Sequence, residues 1–456
     1  MSKPTIEDLR AAVHGQVITA DDAGYDEARA VWSGADRKPK VVVRPSNAGD
    51  VIQAVGFARE NALDLSVRCG GHSAPGYGTN DGGVVIDLSL MRGVRVDPFG
   101  QTARAEGGAL IFDVLAATDA FGLTTAFGII GSTGIGGLSL GGGMGHLSRG
   151  FGLTIDNIVS MDVVTADGKF LVASDKENED LYWALRGGSG NFGVVTSFEY
   201  QLHPVKDIYA GVFFFPVEET KTVLEFYRDY IVSAPEEMGL FPGFQIAPPL
   251  PFIPEEHHGK TCILMAACWA GTLDKGEKAL APIQNVAPRV GELVTPMPMV
   301  AFNTAFDALY PAGMQHYWKG SFTSDLSDEA IAVHAEHGPK VPVLQSTMHI
   351  YSINGAVHRV PADATAFANR DATYSIVIAG MNPEPSKQDE VVSWVKNYAK
   401  ALEPHTEKGG YINFLSDDDQ GRVKENYRGN YDRLTQIKKK YDPGNLFHVN
   451  HNIKPA

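Results

Sequence analysis

His72 stands on a glycine-rich turn, in the stretch RCGGHSAPGYG at residues 68–78. A histidine in this setting can be a metal ligand, part of a phosphate-binding turn or an oxyanion hole, or a side chain on an ordinary tight turn. Zinc sites need further ligands at characteristic spacing, and the three cysteines, Cys69, Cys262 and Cys268, do not supply it. The sequence therefore predicts no metal site and leaves the other interpretations open.

Two further glycine clusters follow, at 128–152 and 187–193. The first holds 11 glycines in 25 residues, with isoleucine, leucine and methionine between them, which is atypical of a flexible linker. Glycine allows backbone N–H groups to approach a ligand closely, because no Cβ holds the ligand off. The three separated turns, 70–78, 128–145 and 187–193, therefore predict a cradle for an anion the size of a nucleotide.

The context of these glycines excludes the commonest nucleotide-binding folds. Residues 187–193, GGSGNFG, contain a formal G-x-G-x-x-G from Gly188 to Gly193. A Rossmann site requires a strand before this motif and a helix after it, whereas NEDLYWALR predicts a helix before it and VVTSFEYQL a strand after it. The chain also lacks G-x-x-x-x-G-K-[ST], so we expect no Walker-type nucleotide site. We expect no nucleophile elbow either, and therefore no α/β-hydrolase.

The composition indicates a globular protein without a nucleic-acid partner. The 456 residues are 44% hydrophobic and carry a formal net charge of −15, so a phosphate backbone or an anionic membrane would meet no basic surface. We interpret the lysine cluster in IKKKYDP, 437–443, as the C-terminal end of a helix. The N-terminus lacks an apolar stretch of signal-peptide length, and the chain has no run of 18 apolar residues, so we expect a cytoplasmic protein.

The first half of the chain is rich in strands and loops. After a helical segment over residues 1–36 that starts from Thr5, the chain predicts a strand, a helix over roughly 48–61 and a second strand. Around residue 207 the pattern changes to apolar strands that are each followed by an amphipathic helix, which predicts one sheet covered by helices. The last fifty residues are rich in asparagine and aromatic side chains, and we expect them to pack against the first half.

Five segments together resemble the FAD-linked oxidases of the berberine-bridge-enzyme type, within the vanillyl-alcohol-oxidase superfamily. They are VVVRPSNAGDV, SVRCGGHSAPGYGTNDGGVVIDLSLM, GGLSLGGGMGHLSRGFGLTIDNI, LYWALRGGSGNFGVVTSFEYQLHPV and YDPGNLFHVNHNIKP. The resemblance covers most of the chain and implies an α+β fold with an FAD-binding domain over 1–207, whose core is about 37–207. Residues 208–405 then form a substrate-binding domain, an antiparallel sheet covered by helices, and residues 406–456 return to the FAD domain.

The resemblance also implies FAD as the cofactor, bonded through its 8α-methyl group to His72. A neutral imidazole is a nucleophile that can attack this methyl group. Many relatives add a second bond from a cysteine in the 128–137 loop, but Ile130 stands at that position, so we expect one covalent bond and no cysteinyl bond. The other positions that match cofactor-binding residues of the family are Arg68, Cys69, Gly70, Gly71, Ser73, Ala74, Gly78, Ser132, Gly134, Gly137, Ser139, Gly141, Gly145, Asn157, Asn191, Gly193, Val194, Val195, Tyr411, Asn413, Asn450 and Asn452.

The segment YINF supplies two candidate catalytic residues, Tyr411 and Asn413. The resemblance implies that both lie near the flavin ring, and a strand over YINF would place both side chains on one side. The alternative is that Tyr411 is a core aromatic residue.

The segment STMHIYSINGAVHRV supplies two more candidates. Alternation along a strand places Thr347, His349, Tyr351 and Ile353 on one face, so His349 and Tyr351 are candidates to deprotonate or hold the substrate. Some relatives carry a carboxylate on this strand, and none stands at the matching positions here. Histidine titrates near neutrality, whereas tyrosine needs a lowered pKa or a concerted transfer.

The activity that the resemblance implies is removal of hydride from a C–H bond next to nitrogen or oxygen of a small organic substrate, with dioxygen as the electron acceptor. An amine or alkaloid oxidase, an alcohol or carbohydrate oxidase, and a dehydrogenase with another acceptor remain open. A catalytically inactive FAD-fold protein that binds a ligand is the alternative from another class. A homodimer is also left open.

Overall fold

The computed structural model of the protein describes residues 3–456. Its strands are β1 (Gln16–Ile18), β2 (Val41–Arg44), β3 (Leu65–Arg68), β4 (Val84–Asp87), β5 (Val94–Asp97), β6 (Thr102–Glu106), β7 (Ile158–Val164), β8 (Phe170–Ser174), β9 (Val194–Gln201), β10 (Asp207–Pro216), β11 (Met238–Ile246), β12 (Thr261–Trp269), β13 (Gly291–Pro298), β14 (Gln315–Thr323), β15 (Thr347–Ser352) and β16 (Tyr374–Asn382). Its α-helices are α1 (Ile6–Ala12), α2 (Tyr25–Arg29), α3 (Ala48–Asn61), α4 (Ile111–Asp119), α5 (Ile135–Gly141), α6 (Ser148–Phe151), α7 (Glu179–Leu185), α8 (Thr220–Ser233), α9 (Gly276–Gln284), α10 (Met299–Thr304), α11 (Asp328–His337), α12 (Gln388–Leu402), α13 (Val423–Tyr427) and α14 (Tyr431–Tyr441).

A small sheet with the order β1-β2-β4-β3 carries the turn of His72. Strands β2, β4 and β3 run parallel, and the apolar run of β2 is buried, as is usual for parallel strands covered on both faces. Helix α3 crosses between β2 and β3, and it begins where the side chain of Asn47 accepts the backbone N–H of Asp50 at 3.1 Å. The strand–helix–strand prediction is confirmed, and the glycine-rich turn starts where β3 ends, at Arg68.

A five-stranded antiparallel sheet with the order β5-β6-β9-β7-β8 carries the third glycine turn. Strands β7 and β8 pair across a turn in which Gly168 has a φ of 82°, a conformation that favours glycine. Helix α7 precedes residues 187–193 and β9 follows them. The helix–turn–strand order predicted from the sequence is confirmed, so this turn is not a Rossmann motif.

A seven-stranded antiparallel sheet, ordered β13-β10-β12-β11-β15-β16-β14, occupies residues 207–382. Helices α8, α9, α11 and α12 cover one of its faces. On β15, Met348 and Ile350 point into this helix-covered core, so the alternate residues, including His349 and Tyr351, face the other way. The α+β fold and the helix-covered antiparallel sheet match the predictions.

The N-terminal segment differs in part from the prediction, whereas the predicted helix end near the C-terminus is present. Within residues 3–36, α1 begins at the predicted Thr5 cap, but β1 and only one short further helix follow, so the prediction of a helical segment is partly wrong; residues 1 and 2 lie outside the described part. The lysine cluster lies in the last turn of α14, so the predicted helix end is confirmed, but Lys438 within it is buried. Its ammonium is fully buried and donates to Asp442 Oδ2 at 2.6 Å and to the carbonyl oxygens of Asn191 and Phe447.

That buried ammonium fastens the C-terminal tail to the third glycine turn. Asn191 reinforces the contact, because its side-chain oxygen accepts the backbone N–H of Ile453 at 2.9 Å. The tail therefore packs against the first half of the chain, as expected.

Candidate active site

One cavity of about 320 Å³ brings the three glycine turns together with the face of the seven-stranded sheet that is turned away from its helices. Its wall on the sheet side comes from β15 and β16, and the segments 411–415 and 447–451 close it from the tail. Its volume lies within the usual range of small-molecule sites. Residues distant in sequence thus meet at one site, between the glycine turns and the sheet.

Two kinds of glycine build the cradle. A Cβ at Gly70 would lie 2.3 Å from the backbone nitrogen of Gly134, so the first two turns can touch only because both positions lack a side chain. Gly137 and Gly190 are different: both line the cavity, and within residues 3–456 no atom would lie within 4 Å of a Cβ added there. Such a Cβ would occupy cavity space, which fits a ligand held close to bare backbone.

His72 lies in the cavity against the ring of Trp32. The two ring centroids are 4.1 Å apart with an interplanar angle of 9°, and Nδ1 of His72 is 3.3 Å from Oγ1 of Thr133. Burial lowers the pKa of His72 to about 3, with a smaller contribution from nearby His316. The imidazole is therefore neutral at pH 7, which is the form that can attack an electrophilic carbon.

Arg68 and Cys69 support the turn on which His72 stands. The Arg68 guanidinium forms a buried ion pair with Asp87, whose carboxylate also accepts a 2.8 Å hydrogen bond from Arg44. The Cys69 thiol donates to the carbonyl oxygen of Ala109 at 3.3 Å, and burial raises its pKa to about 11. The thiol therefore stays protonated near pH 7, and it is not a reactive nucleophile.

The tail contributes an unused hydrogen-bonding atom to the cavity. The amide nitrogen of Asn450 donates to the carbonyl oxygen of Gly190 at 3.2 Å, whereas its Oδ1 is buried and has no partner in the part of the chain that the structure describes. A buried amide oxygen without a donor is costly, so this atom fits a polar ligand group beside the third glycine turn. Together with the open glycines and neutral His72, it fits FAD.

Tyr411 and Asn413 meet at the cavity, but not on a strand. Residues Ile412–Phe414 form a 3₁₀ turn, so the prediction of a strand over YINF is wrong; the local turn brings both side chains to one point instead. The Tyr411 hydroxyl oxygen accepts the backbone N–H of Gly143 at 2.7 Å and the amide of Asn413 at 2.9 Å. Burial nevertheless raises the pKa of Tyr411, against the lowering effect of these two donors.

The sheet side of the cavity carries a hydrogen-bonded group on β15. His349 Nδ1 lies 3.0 Å from the Tyr351 hydroxyl, and His349 Nε2 lies 3.0 Å from Oγ1 of Thr347. Burial lowers the pKa of His349 to about 4 and raises the pKa of Tyr351. Both side chains are therefore neutral at pH 7, and the hydrogen bond between them can carry a proton from one to the other.

Most of the predicted site residues line this cavity. They are Arg68, Cys69, Gly70, Gly71, His72, Ser73, Ala74, Gly78, Gly134, Gly137, Gly193, Val195, His349, Tyr351, Tyr411, Asn413 and Asn450. Ile130 lines it as well, at the position where many relatives were expected to carry a cysteine.

The others lie outside the cavity lining: Ser132, Ser139, Gly141, Gly145, Asn157, Asn191, Val194 and Asn452. Several of them have packing roles that explain their residue type. A Cβ at Gly141 would lie 2.3 Å from Oδ1 of Asn413, and one at Gly145 would lie 2.1 Å from a carbonyl oxygen. Asn157 binds the imidazole of His203 at 2.6 Å.

The expected absence of a nucleophile-elbow motif is wrong at the level of sequence, because residues 137–141 form a G-x-S-x-G centred on Ser139. Its hydroxyl is buried in α5 and hydrogen-bonded to the Tyr200 hydroxyl at 2.8 Å. Because a nucleophile elbow exposes its serine at the end of a strand, the structure excludes that role.

Three aromatic cavity residues carried no signal in the sequence: Trp32, Tyr310 and Trp318. Trp32 comes from the N-terminal segment, and its indole N–H donates to the carbonyl oxygen of Tyr310 at 3.1 Å. His316 packs on Trp32, with ring centroids 4.4 Å apart. None of these residues belongs to a local motif, so only the tertiary fold reveals them.

Comparisons with known sequences agree with this site. A family model for an FAD binding domain matches residues 39–174, and one described as berberine and berberine like matches residues 410–454. The chain is 32% identical over 419 residues to an FAD-linked oxidoreductase of Dictyostelium discoideum, covering 91% of this chain and 89% of that protein. It is 31% identical over 458 residues to (R)-6-hydroxynicotine oxidase of Paenarthrobacter nicotinovorans, covering 97% of each chain.

Solved structures agree in fold. The crystal structure of 6-hydroxy-D-nicotine oxidase from Arthrobacter nicotinovorans aligns with a TM-score of 0.86 at 29% identity, covering 97% of this chain and 98% of that one. Xylooligosaccharide oxidase from Myceliophthora thermophila aligns with a TM-score of 0.87 over 99% of each chain; at 24% identity, this likeness concerns the fold alone. The chain belongs to the berberine-bridge-enzyme type of FAD-linked oxidoreductases, in the vanillyl-alcohol-oxidase superfamily, and it is an FAD-dependent oxidoreductase.

Proposed function

We propose that this protein is an oxidase with FAD bonded covalently to His72, and that it removes hydride from a C–H bond next to oxygen or nitrogen of a small organic substrate. The observation that carries the proposal is that one cavity joins a neutral His72 on a glycine cradle to the His349–Tyr351 pair on the facing sheet. A cofactor anchor and a proton-exchanging group then line one site.

Different residues of the cavity would bind the cofactor and the substrate. When bound, FAD supplies the two-electron acceptor that takes the hydride from the substrate carbon. The glycine turns and Asn450 would hold the cofactor, and Trp32 keeps the His72 ring in one orientation. Aromatic walls exclude water from the substrate, while His349, Tyr351 and Tyr411 provide hydrogen bonds to its polar group.

A single covalent bond is the form that the site favours. The side chain of Ile130 lines the cavity and cannot form a thioether, and the Cys69 thiol is engaged with the Ala109 carbonyl. The solved glucooligosaccharide oxidase of Acremonium strictum has, by contrast, a 6-S-cysteinyl, 8α-N1-histidyl FAD.

A hydroxyl-bearing substrate is favoured over a cationic amine. Within residues 3–456, no aspartate, glutamate or lysine lines the cavity, so a bound ammonium group would have no carboxylate partner. Oxidation of an alcohol releases the hydroxyl proton, which the His349–Tyr351 pair can accept. An amine or alkaloid substrate, bound neutral against the aromatic walls, is the second candidate, and one relative is an oxidase named for 6-hydroxynicotine.

Dioxygen is the proposed electron acceptor, as the name of the 31% identical (R)-6-hydroxynicotine oxidase supports. The purified enzyme is reduced anaerobically with substrate and then mixed with air. Reoxidation within seconds supports an oxidase, whereas reoxidation over minutes or longer identifies a dehydrogenase that uses another acceptor. The anaerobic reduction step is repeated with a set of alcohols, sugars and amines. The substrate class is the one whose members bleach the yellow colour of the flavin.

The covalent bond is tested by acid precipitation of the purified protein. We expect yellow colour to stay with the precipitated wild type and to be washed out of His72→Ala. The control is His358→Ala, which removes an imidazole outside the cavity that contacts the Ala372 carbonyl. A wild type that releases its flavin into the supernatant contradicts the covalent bond, and a colourless protein that oxidises nothing contradicts the enzyme itself.

A further inference from the structure

We propose that Thr347 is a positioning residue that holds His349 in the tautomer with its proton on Nε2, so that Nδ1 accepts the proton of Tyr351. Three hydrogen bonds then form a relay in which every proton has a fixed donor and acceptor. The relay runs from the Phe244 carbonyl through the Thr347 hydroxyl and the His349 imidazole to the Tyr351 hydroxyl at the cavity. This inference rests on the proposed function, in which the substrate loses a hydroxyl proton.

The direction of the relay follows from its buried end. Thr347 Oγ1 lies 2.9 Å from the carbonyl oxygen of Phe244 on β11. A carbonyl oxygen only accepts hydrogen bonds, so the single hydroxyl proton of Thr347 is used there. Towards His349, the Thr347 oxygen can therefore only accept, and Nε2 of His349 must carry a proton.

The protonation state of His349 completes the assignment. Burial lowers the pKa of His349 to about 4, so at pH 7 the ring is neutral and has one N–H. Because Nε2 holds that proton, Nδ1 presents a lone pair, and the Tyr351 hydroxyl at 3.0 Å is its donor. The Tyr351 oxygen donates its own proton to Nδ1 and can also accept a hydrogen bond from a group in the cavity.

The neighbouring strand holds the ring in place. A Cβ at Gly243, on β11, would lie 2.5 Å from Cδ2 of His349, so only glycine leaves room for the imidazole at this point. The cavity-facing residues of adjacent β16 are Val377, Ala379 and Met381, which offer no competing hydrogen bond. The imidazole is therefore confined between fixed partners.

One proton moves from the substrate to Tyr351 while another moves from Tyr351 to His349. The substrate O–H bond breaks and a new O–H bond forms on Tyr351, while the original Tyr351 O–H bond breaks and an N–H bond forms on His349 Nδ1. The hydrogen on the carbon would leave with its bonding electron pair, and bound FAD would supply the two-electron oxidant that accepts it. The resulting imidazolium keeps its Nε2–H bonded to Thr347, and Tyr351 remains neutral throughout.

The raised pKa of Tyr351 is consistent with this coupled transfer. Burial, with added repulsion from Tyr310 and Tyr411, disfavours a free tyrosinate, so Tyr351 must gain one proton as it loses another. A weak base suffices as the final acceptor, because loss of hydride turns an alcohol into a protonated carbonyl group, which is a strong acid.

The tautomer is measured by nitrogen NMR of ¹⁵N-histidine-labelled holoenzyme, with the His349 signals assigned through His349→Gln. We expect the wild type to show a protonated Nε2 and an unprotonated Nδ1. Thr347→Val should produce a mixture of tautomers, and Thr347→Ser should restore the wild-type pattern. Thr323→Val removes another buried threonine that donates to a carbonyl oxygen, away from the cavity, and should change nothing.

The kinetic readout uses the same variants with the alcohol that bleaches the flavin. We expect Thr347→Val to lower kcat about 10-fold or more with less change in KM, while Thr347→Ser stays within about threefold of the wild type. Covalent flavin content should be equal in all variants.

A wild-type His349 protonated on Nδ1 overturns the proposal, as does a Thr347→Val variant with an unchanged tautomer and kcat. Failure of the proposed function is distinguishable, because it appears as absent covalent flavin or absent substrate oxidation, whereas the tautomer is measured directly.

Discussion

At the scale of single residues, the glycines of the cavity do two different things. Gly70 and Gly134 allow two backbone segments to touch, and substitution there would push the turns apart. Gly137 and Gly190 line the cavity, and within residues 3–456 no atom would clash with a Cβ added at either position. The second kind is therefore the one that reports on the cofactor.

We predict opposite effects of Gly137→Ala on stability and on cofactor binding. Gly137 lies within α5 with an ordinary helical backbone, so alanine should raise the free energy of unfolding of apoprotein by about 0.4–1 kcal/mol. The added methyl group would enter the cavity, so FAD content per chain should fall. Thermal unfolding of apoprotein and the flavin-to-protein absorbance ratio of purified protein measure the two effects.

Gly56→Ala is the matched control for this prediction. Gly56 lies within α3, where an added Cβ also meets no atom within 4 Å among residues 3–456, but it is outside the cavity lining. It should stabilise the chain to a similar degree and leave FAD content unchanged. Equal FAD content in both variants would contradict a cofactor contact at Gly137.

At the scale of elements, a buried ion pair at the end of α14 includes Lys438, whose ammonium also hydrogen-bonds to the third glycine turn. Lys438 and Asp442 are both buried, and the Asp442 carboxylate also accepts the backbone N–H groups of Leu446 and Phe447 at 2.8 and 2.9 Å. Lys438 further donates to the carbonyl oxygen of Asn191, beside Gly190 and Gly193 of the cavity. The helix end thus fixes both the tail and one wall of the site.

We predict that Lys438→Met is strongly destabilising. It leaves the Asp442 carboxylate buried without its cation, which should lower the free energy of unfolding by about 3–5 kcal/mol. Urea unfolding measures the change, with exposed Lys439→Met as the control on the same helix. The double variant Lys438→Met/Asp442→Asn should recover part of the loss. A loss below about 1 kcal/mol would mean that the pair does not hold the tail.

At the scale of the whole molecule, His146, His316 and His334 have buried ring nitrogens and no carboxylate partner within residues 3–456. Burial lowers the pKa values of His146, His316 and His334 to about 3. Both ring nitrogens of His146 and His316 lack a hydrogen-bond partner within residues 3–456, and the His146 ring packs between Phe241 and Phe302. These residues make the fold sensitive to acid.

We predict that stability falls between pH 7 and pH 5, and that His146→Leu weakens this dependence. Below about pH 6.5 the unfolded chain binds a proton that buried His146 does not, so the unfolded state gains protons and the free energy of unfolding decreases. Each such histidine should contribute about 1–2 kcal/mol over that interval.

Thermal unfolding measured at both pH values tests this prediction. Leucine has a similar volume and no titration, so His146→Leu should flatten the decline, whereas His257→Leu, at a partly exposed position, should not. An unchanged slope in His146→Leu would contradict a buried neutral imidazole at this position.

The division of the chain at residues 207 and 405 stays a proposal about domains. The seven-stranded sheet within 207–382 and helix α12, which ends at Leu402, support it. The cavity lies where this sheet meets the glycine turns, so the proposed substrate domain would roof the cofactor site. No helix within residues 3–456 is long and apolar enough to span a membrane.

The sequence by itself determined the family, the positions of the glycine turns and the place of His72 on the first of them. It also determined the alternation that turns His349 and Tyr351 to one face. These features depend on local motifs or on the two-residue period of a strand, which are written in neighbouring residues. YINF was mistaken for a strand because four residues do not distinguish a strand from a 3₁₀ turn.

The tertiary structure alone decided which side chains meet. Trp32 stacks on His72 across 40 positions of sequence, and Lys438 reaches a carbonyl oxygen 247 positions away. The tautomer of His349 likewise depends on the Phe244 carbonyl oxygen of another strand, through Thr347. Such contacts depend on how separate elements pack, and no local pattern in the chain records that packing.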